Sequence, residues 1–250
     1  MKIAVSGKGG VGKTTISASI TRYLQENGYE VYAIDSDPDA NLAAMLGIEE
    51  KVKPLVELDE VIKEKVGEKG GLYTLNPEVD DVLEEYAVRQ NGLNFLRMGE
   101  VKKASSSCYC PENSFLKAIM NSLVFTRDEA VVLDMGAGIE HLTRGTSAGV
   151  DLMLIVLEPS SISVDTARTI QGLAEEAGVG RIEFIANKVR SEEERSLLEE
   201  ELGSDLLGVI DFKEELLRSG FSAEDERELL EDEIARIFQK RDLFGEIAEG

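Results

Sequence analysis

Positive charge is scarce in this chain: 27 lysines and arginines face 49 aspartates and glutamates, for a formal net charge of −22 at pH 7. Such a balance repels phosphodiester backbones and anionic lipid over most of the surface, so neither nucleic acid nor a membrane is expected as a partner. Cysteine is almost missing. The two present, Cys108 and Cys110, are separated by one residue and cannot frame disulfides for a chain of 250 residues; a reducing compartment keeps them as thiols. No apolar run approaches the roughly 20 residues of a membrane helix, and no basic-plus-apolar leader precedes the first apolar segment, which points to the cytoplasm. A Pro/Ser-rich linker is also lacking, so residues 1–250 read as one α/β domain with a sizeable core.

What the chain does have is alternation. Short apolar runs, Lys2 to Val5, Val31 to Ile34, Val131 to Leu133, Leu152 to Leu157, Ile182 to Ala186 and Leu206 to Ile210, are separated by helical patterns. This order predicts a mostly parallel, twisted sheet flanked by helices. Further strands are expected near Leu72 to Leu75 and Asn94 to Leu96. Helices are expected after the first strand from Thr14, then near Leu42 to Leu46, Val56 to Val66, Ser114 to Leu123, Ser163 to Ala177, Glu192 to Leu202 and Asp225 to Phe238. Polar residues recur where the strands end: Asp35, Asp134, Glu158, Asn187 and Asp211. In open α/β sheets those carboxyl ends are where ligands bind.

Gly7 to Thr15 read G-K-G-G-V-G-K-T-T between the first strand and its helix. Gly7, Gly9, Gly10 and Gly12 let backbone N–H groups turn inward around phosphate oxygens, together with Val11, and the following helix adds the positive end of its dipole. Lys13 is placed to reach the β- and γ-phosphates, and the Thr14 hydroxyl to ligate Mg²⁺, with Thr15 beside it. A glycine turn alone says little; the full string after a strand and before a helix is specific.

The second lysine of the loop, Lys8, carries a resemblance. The string is similar to the deviant Walker A motif of the P-loop ATPases that include the nitrogenase iron protein, the septum-site and partition ATPases and several metal-enzyme maturation ATPases. The resemblance implies ATP as ligand and a homodimer in which Lys8 contacts the nucleotide of the other subunit. Asp35 to Asn41 resembles the family's switch I, and Asp134-Met135-Gly136-Ala137-Gly138 its Walker B and switch II. Asp37 is the candidate that orients or deprotonates the attacking water, Asp134 holds Mg²⁺ through a water, and the Gly136 N–H reaches the γ-phosphate. Asn187-Lys188 resembles the base-reading position, where an amide suits the adenine edge. No aspartate follows at the guanine-reading position, which favours ATP over GTP, and Ile210-Asp211-Phe212 lacks the proline that relatives place against the base.

Cys108-Tyr109-Cys110 falls in the polar, serine-rich segment Gly99 to Pro111. One copy cannot complete a tetrahedral site, whereas two copies about a dimer axis supply four thiolates, a set suited to Zn²⁺ or a late transition metal such as Ni²⁺. Lys102 and Lys103 stand near enough in sequence to favour the thiolates. Taken with Arg97 to Glu100, Glu112 to Leu116 and Asp134 to Gly145, these strings resemble the carbon monoxide dehydrogenase maturation ATPases, the CooC family. That resemblance implies ATP hydrolysis, Ni²⁺ or Zn²⁺ binding, dimerisation and nickel insertion into the cluster of a client dehydrogenase. His141, the single histidine, and Glu140 could ligate a metal, but a lone histidine is more often a local hydrogen-bonding residue, and that reading is preferred for both. An electron donor like the iron protein is disfavoured because its cluster cysteines are widely spaced. A positioning or partition ATPase is disfavoured by the charge and by the acids that interrupt Arg236, Lys240 and Arg241.

Overall fold

The computed structural model describes residues 1–67, 74, 77–99, 111–123, 128–136, 150–214 and 223–240. Among these residues eight strands form one sheet: β1 (Lys2–Gly7), β2 (Glu30–Ser36), β3 (Val88–Gln90), β4 (Leu93–Arg97), β5 (Glu129–Met135), β6 (Leu152–Leu157), β7 (Ile182–Val189) and β8 (Leu206–Asp211). Their order is β3-β4-β2-β5-β1-β6-β7-β8, parallel except for the β3–β4 pair. The helices are α1 (Lys13–Glu26), α2 (Leu42–Met45), α3 (Asp59–Lys65), α4 (Asp80–Tyr86), α5 (Pro111–Ser122), α6 (Ser161–Glu176), α7 (Glu192–Leu202) and α8 (Ala223–Lys240).

Alternation along each strand divides the apolar residues between two cores. In β6, Leu152, Leu154 and Val156 join one core, whereas Met153, Ile155 and Leu157 join the other. The first core is completed by Ile16, Ile20 and Leu24 of α1 and by Ile234 and Phe238 of α8, the second by side chains of α3 to α7. Because both faces are covered, the central strands are mostly apolar on both faces, β6 throughout, as buried parallel strands tend to be. β1 lies between β5 and β6, so the chain winds outward from it in both directions. The crevice at its carboxyl end is the switch point where such sheets hold ligands.

The strand positions, the mostly parallel sheet and most helices match the sequence pattern. The expected strand near Leu72 to Leu75 lies outside the described residues except for Thr74, which is not in a strand. Two short elements went unread, α4 and β3. β3 pairs with β4 through a two-residue turn, Asn91-Gly92, with φ of 50° and 79°; Asn-Gly between two strands is a type I′ hairpin signal that the sequence does contain. No helix among the described residues is long and apolar enough to cross a membrane.

Candidate functional site

Five strand ends converge on the glycine loop. β1 ends at Gly7, where an added Cβ would collide with the Val156 carbonyl of the neighbouring β6, so only glycine lets the loop leave the sheet there. Gly12, with φ 98°, precedes α1 and faces the Asn187 amide at the end of β7. Lys13 begins α1 and is 6% exposed, its ammonium donating to the Lys8 carbonyl at 3.3 Å and lying 3.9 Å from Asp37 Oδ2. Lys8 itself points to solvent.

Asp37 is held by its own turn: Oδ1 accepts the Asp39 N–H at 3.0 Å. The scaffold beneath it is Asp35, fully buried, whose two oxygens accept the N–H groups of Asp37 at 3.1 Å and Leu42 at 3.2 Å. Gly136 completes this corner, since a Cβ there would come within 3.3 Å of Pro38 and 3.8 Å of the Asp37 carboxyl carbon. The structure thus brings Lys13, Asp37 and Gly136 together, as the motifs anticipate.

Asp134 is the most buried acid of the site. It is in register with Asp35 across β2 and β5, and with Val5 across β1. Ser17, one turn into α1, donates its hydroxyl to Asp134 Oδ1 at 2.9 Å. The other oxygen, Oδ2, is buried and has no hydrogen-bond partner among the described residues. Burial pushes the Asp134 carboxyl up to about 7; the Thr14 and Ser17 hydroxyls oppose this, and the charges of Asp35 and Asp37 reinforce it. Asp35 is pushed up to about 6, again chiefly by burial, with its two backbone donors opposing. Two carboxyls buried side by side and lacking a full set of donors are a configuration that a cation relieves.

Asn187 also has a structural part. Its Nδ2 donates to the Val11 carbonyl at 2.8 Å and its Oδ1 accepts the Lys188 N–H at 2.9 Å, so the amide clamps the loop to β7. The physical reason is its depth: at 7% exposure its polar atoms must find protein partners. Lys188, in the left-handed region at φ 62°, sends its ammonium to the Gly10 carbonyl and to Glu158 Oε1, both at 2.6 Å. It is a further cation on the loop. Farther out, the Arg190 guanidinium lies over the Phe212 ring at 4.5 Å, in the segment that lacks the expected proline.

Sequence reasoning missed Ser17 and the bracing by Asp35, and marked Glu158 only as a polar strand end. Ser17 was findable, because it lies four residues after Lys13 and so on the same helix face. Cys108, Cys110, Lys102, Lys103, Glu140 and His141 lie outside the described residues. Among the described residues no group of three or more His, Cys, Asp and Glu side chains is gathered for a metal.

Comparison with known proteins agrees with this geometry. A family model for the CobQ/CobB/MinD/ParA nucleotide binding domain matches residues 2–226. The carbon monoxide dehydrogenase accessory protein CooC of Rhodospirillum rubrum is 42% identical over 220 residues, 85% of this chain and 84% of that protein. An uncharacterised ATP-binding protein of Methanocaldococcus jannaschii is 40% identical over 228 residues, 88% of this chain and 89% of the relative. The fold is shared with the septum site-determining protein MinD of Pyrococcus horikoshii, solved with Mg-ADP, at a TM-score of 0.68, 20% identity and coverage of 96% of this chain and 95% of that one. The chain therefore belongs to the CobQ/CobB/MinD/ParA nucleotide-binding family and, within it, to the CooC-like branch with a deviant Walker A loop.

Proposed function

We propose that this chain is an ATP-hydrolysing accessory factor for a carbon monoxide dehydrogenase: a cytoplasmic, single-domain protein that dimerises on ATP and delivers nickel, or binds zinc, through Cys108 and Cys110. The observation that carries this reading is the 42% identity, over 85% of the chain, to a protein named for that accessory role. The fold alone would serve equally well for positioning ATPases.

In this reading Gly7, Gly9, Gly10, Val11, Gly12, Lys13, Thr14 and Thr15 cradle the phosphates, with Lys13 on the β- and γ-oxygens. A triphosphate draws the Lys13 ammonium away from Asp37 and the Lys8 carbonyl, which leaves the Asp37 carboxylate free to take a water proton. The Gly136 N–H bonds the γ-phosphate beside it. Thr14 and Asp134 fit Mg²⁺, a hard cation that takes oxygen ligands, because Asp134 Oδ2 is buried without a hydrogen bond among the described residues while Oδ1 is fixed by Ser17. When bound, Mg²⁺ neutralises charge on the phosphate oxygens. Asn187 holds the loop, keeping one amide N–H and one lone pair for adenine, and Lys188 supports it from the base side. Lys8, exposed, reaches the partner subunit's nucleotide, so that ATP joins two Cys108/Cys110 half-sites.

The test is metal content and oligomeric state of the purified protein, with and without ATP, for the wild type, Cys108→Ser/Cys110→Ser and Lys8→Ala. About one divalent metal per dimer is expected, from two thiolates per chain and a four-ligand site. The double variant should lose metal and keep hydrolysis, and Lys8→Ala should lose ATP-dependent dimerisation more than nucleotide binding. Unchanged metal in the double variant would overturn the cysteine assignment. An iron-sulfur absorbance would favour electron transfer.

A further inference from the structure

On the sheet face opposite α1, a groove opens between the start of α6 and the length of α7. It encloses about 380 Å³. Pro159, Val164 and Leu197 contribute its apolar surface, and Asp165, Glu194 and Glu201 stand around it. Leu197 is 60% exposed, and Ile162 in the first turn of α6 is 64% exposed, the two most open large apolar side chains among the described residues.

The charges around the groove are of one sign. Asp165, Glu194 and Glu201 form no ion pair among the described residues, although arginines are close: Arg168 pairs with Asp205, and Arg195 with Glu192 and Asp211. An apolar trough between two helices, edged by three acids that internal cations leave alone, is complementary to a helix with aliphatic side chains on one face and basic side chains on its flanks. The groove also borders the nucleotide loop's supports. Pro159 follows Glu158, the partner of Lys188, and Glu194 Oε2 accepts the Arg190 N–H at 2.7 Å.

We propose that the α6–α7 groove docks a basic amphipathic helix of a partner protein, with aliphatic side chains seated on Leu197 and Val164 and lysines or arginines paired with Asp165, Glu194 and Glu201. None of the residues lining the groove belongs to the nucleotide loop. Its occupant is recognised by both apolar and charged contacts, so loss of either weakens docking.

Fluorescence anisotropy with the full chain tests this, using three labelled helical peptides: one with a leucine face and lysine flanks, one with the same leucines and glutamate flanks, and one with lysine flanks and serines for leucines. Only the first should bind. Leu197→Asn, which changes no charge, should weaken it by about tenfold. Asp165→Asn/Glu201→Gln should weaken it and flatten its salt dependence, whereas Glu60→Gln/Glu64→Gln on α3 should leave it unchanged. Leu197 is exposed, so the substitution spares the fold, which an unaltered thermal midpoint verifies. Failure of the leucine–lysine peptide to bind, equal binding of the serine peptide, equal loss in the α3 control, or indifference to Leu197→Asn would overturn the proposal. Self-association of the chain that Leu197→Asn abolishes would assign the groove to a second copy and overturn it too.

Discussion

Replacing Gly12 by alanine should damage the loop through Asn187 more than through the loop itself. At φ 98° the residue lies where an L side chain is disfavoured by roughly 1–2 kcal/mol. The new Cβ also runs into Asn187 Nδ2. That amide cannot swing aside freely, because it donates to Val11 at 2.8 Å and accepts from Lys188 at 2.9 Å. Displacing it forfeits two hydrogen bonds of about 1 kcal/mol each, and more if the Val11 carbonyl stays buried and unpaired. Gly12→Ala is therefore expected to cost about 3–4 kcal/mol in urea unfolding and to lower nucleotide affinity. Asn187→Ala alone should cost about 2 kcal/mol, and the double variant should fall short of the sum by about 1–2 kcal/mol, since the same two bonds are lost once. If the two costs instead add within about 0.5 kcal/mol, the collision is not the cause and the clamp has been misread.

Two further outcomes follow from burial. Asp134 has its carboxyl raised from 3.8 to about 7, so the folded state holds a proton that the unfolded chain has released. Its contribution is full below the ordinary carboxylate value and is lost as pH rises toward 7; Asp134→Asn should flatten the decline of stability over that range in metal- and nucleotide-free protein, and an unchanged pH profile would refute it. At Gly208 in β8 an added Cβ would sit 2.5 Å from Ile237 Cγ1 of α8, so Gly208→Ala should destabilise by about 1–3 kcal/mol in the wild type and by much less in an Ile237→Ala background, where all the colliding carbons are gone; equal loss in both backgrounds would argue against that packing.

Legibility in the sequence followed range. The loop from Gly7 to Thr15 was readable because its function depends on local backbone turns, and the strands because period-two burial writes itself into apolar runs. α4 is harder, since a single turn or two carrying Asp80, Asp81, Glu84 and Glu85 shows little beyond Val82 and Leu83 facing inward. The β3 hairpin was missed for a different reason: three residues are too few to display alternation, and only Asn91-Gly92 betrays it.

By itself the chain determined that there is a phosphate-binding loop, that acids end the strands around it, and that the sheet is mostly parallel. Those are consequences of residue type and spacing. Only the tertiary structure decided what each polar strand end does. Asn187 is 176 positions from Val11 and Ser17 is 117 from Asp134, so their bonds exist only once β7, β5 and α1 are packed side by side. Burial then sets the chemistry, raising Asp134 and Asp35 far above ordinary carboxylates and making the Asn187 amide a clamp of the loop.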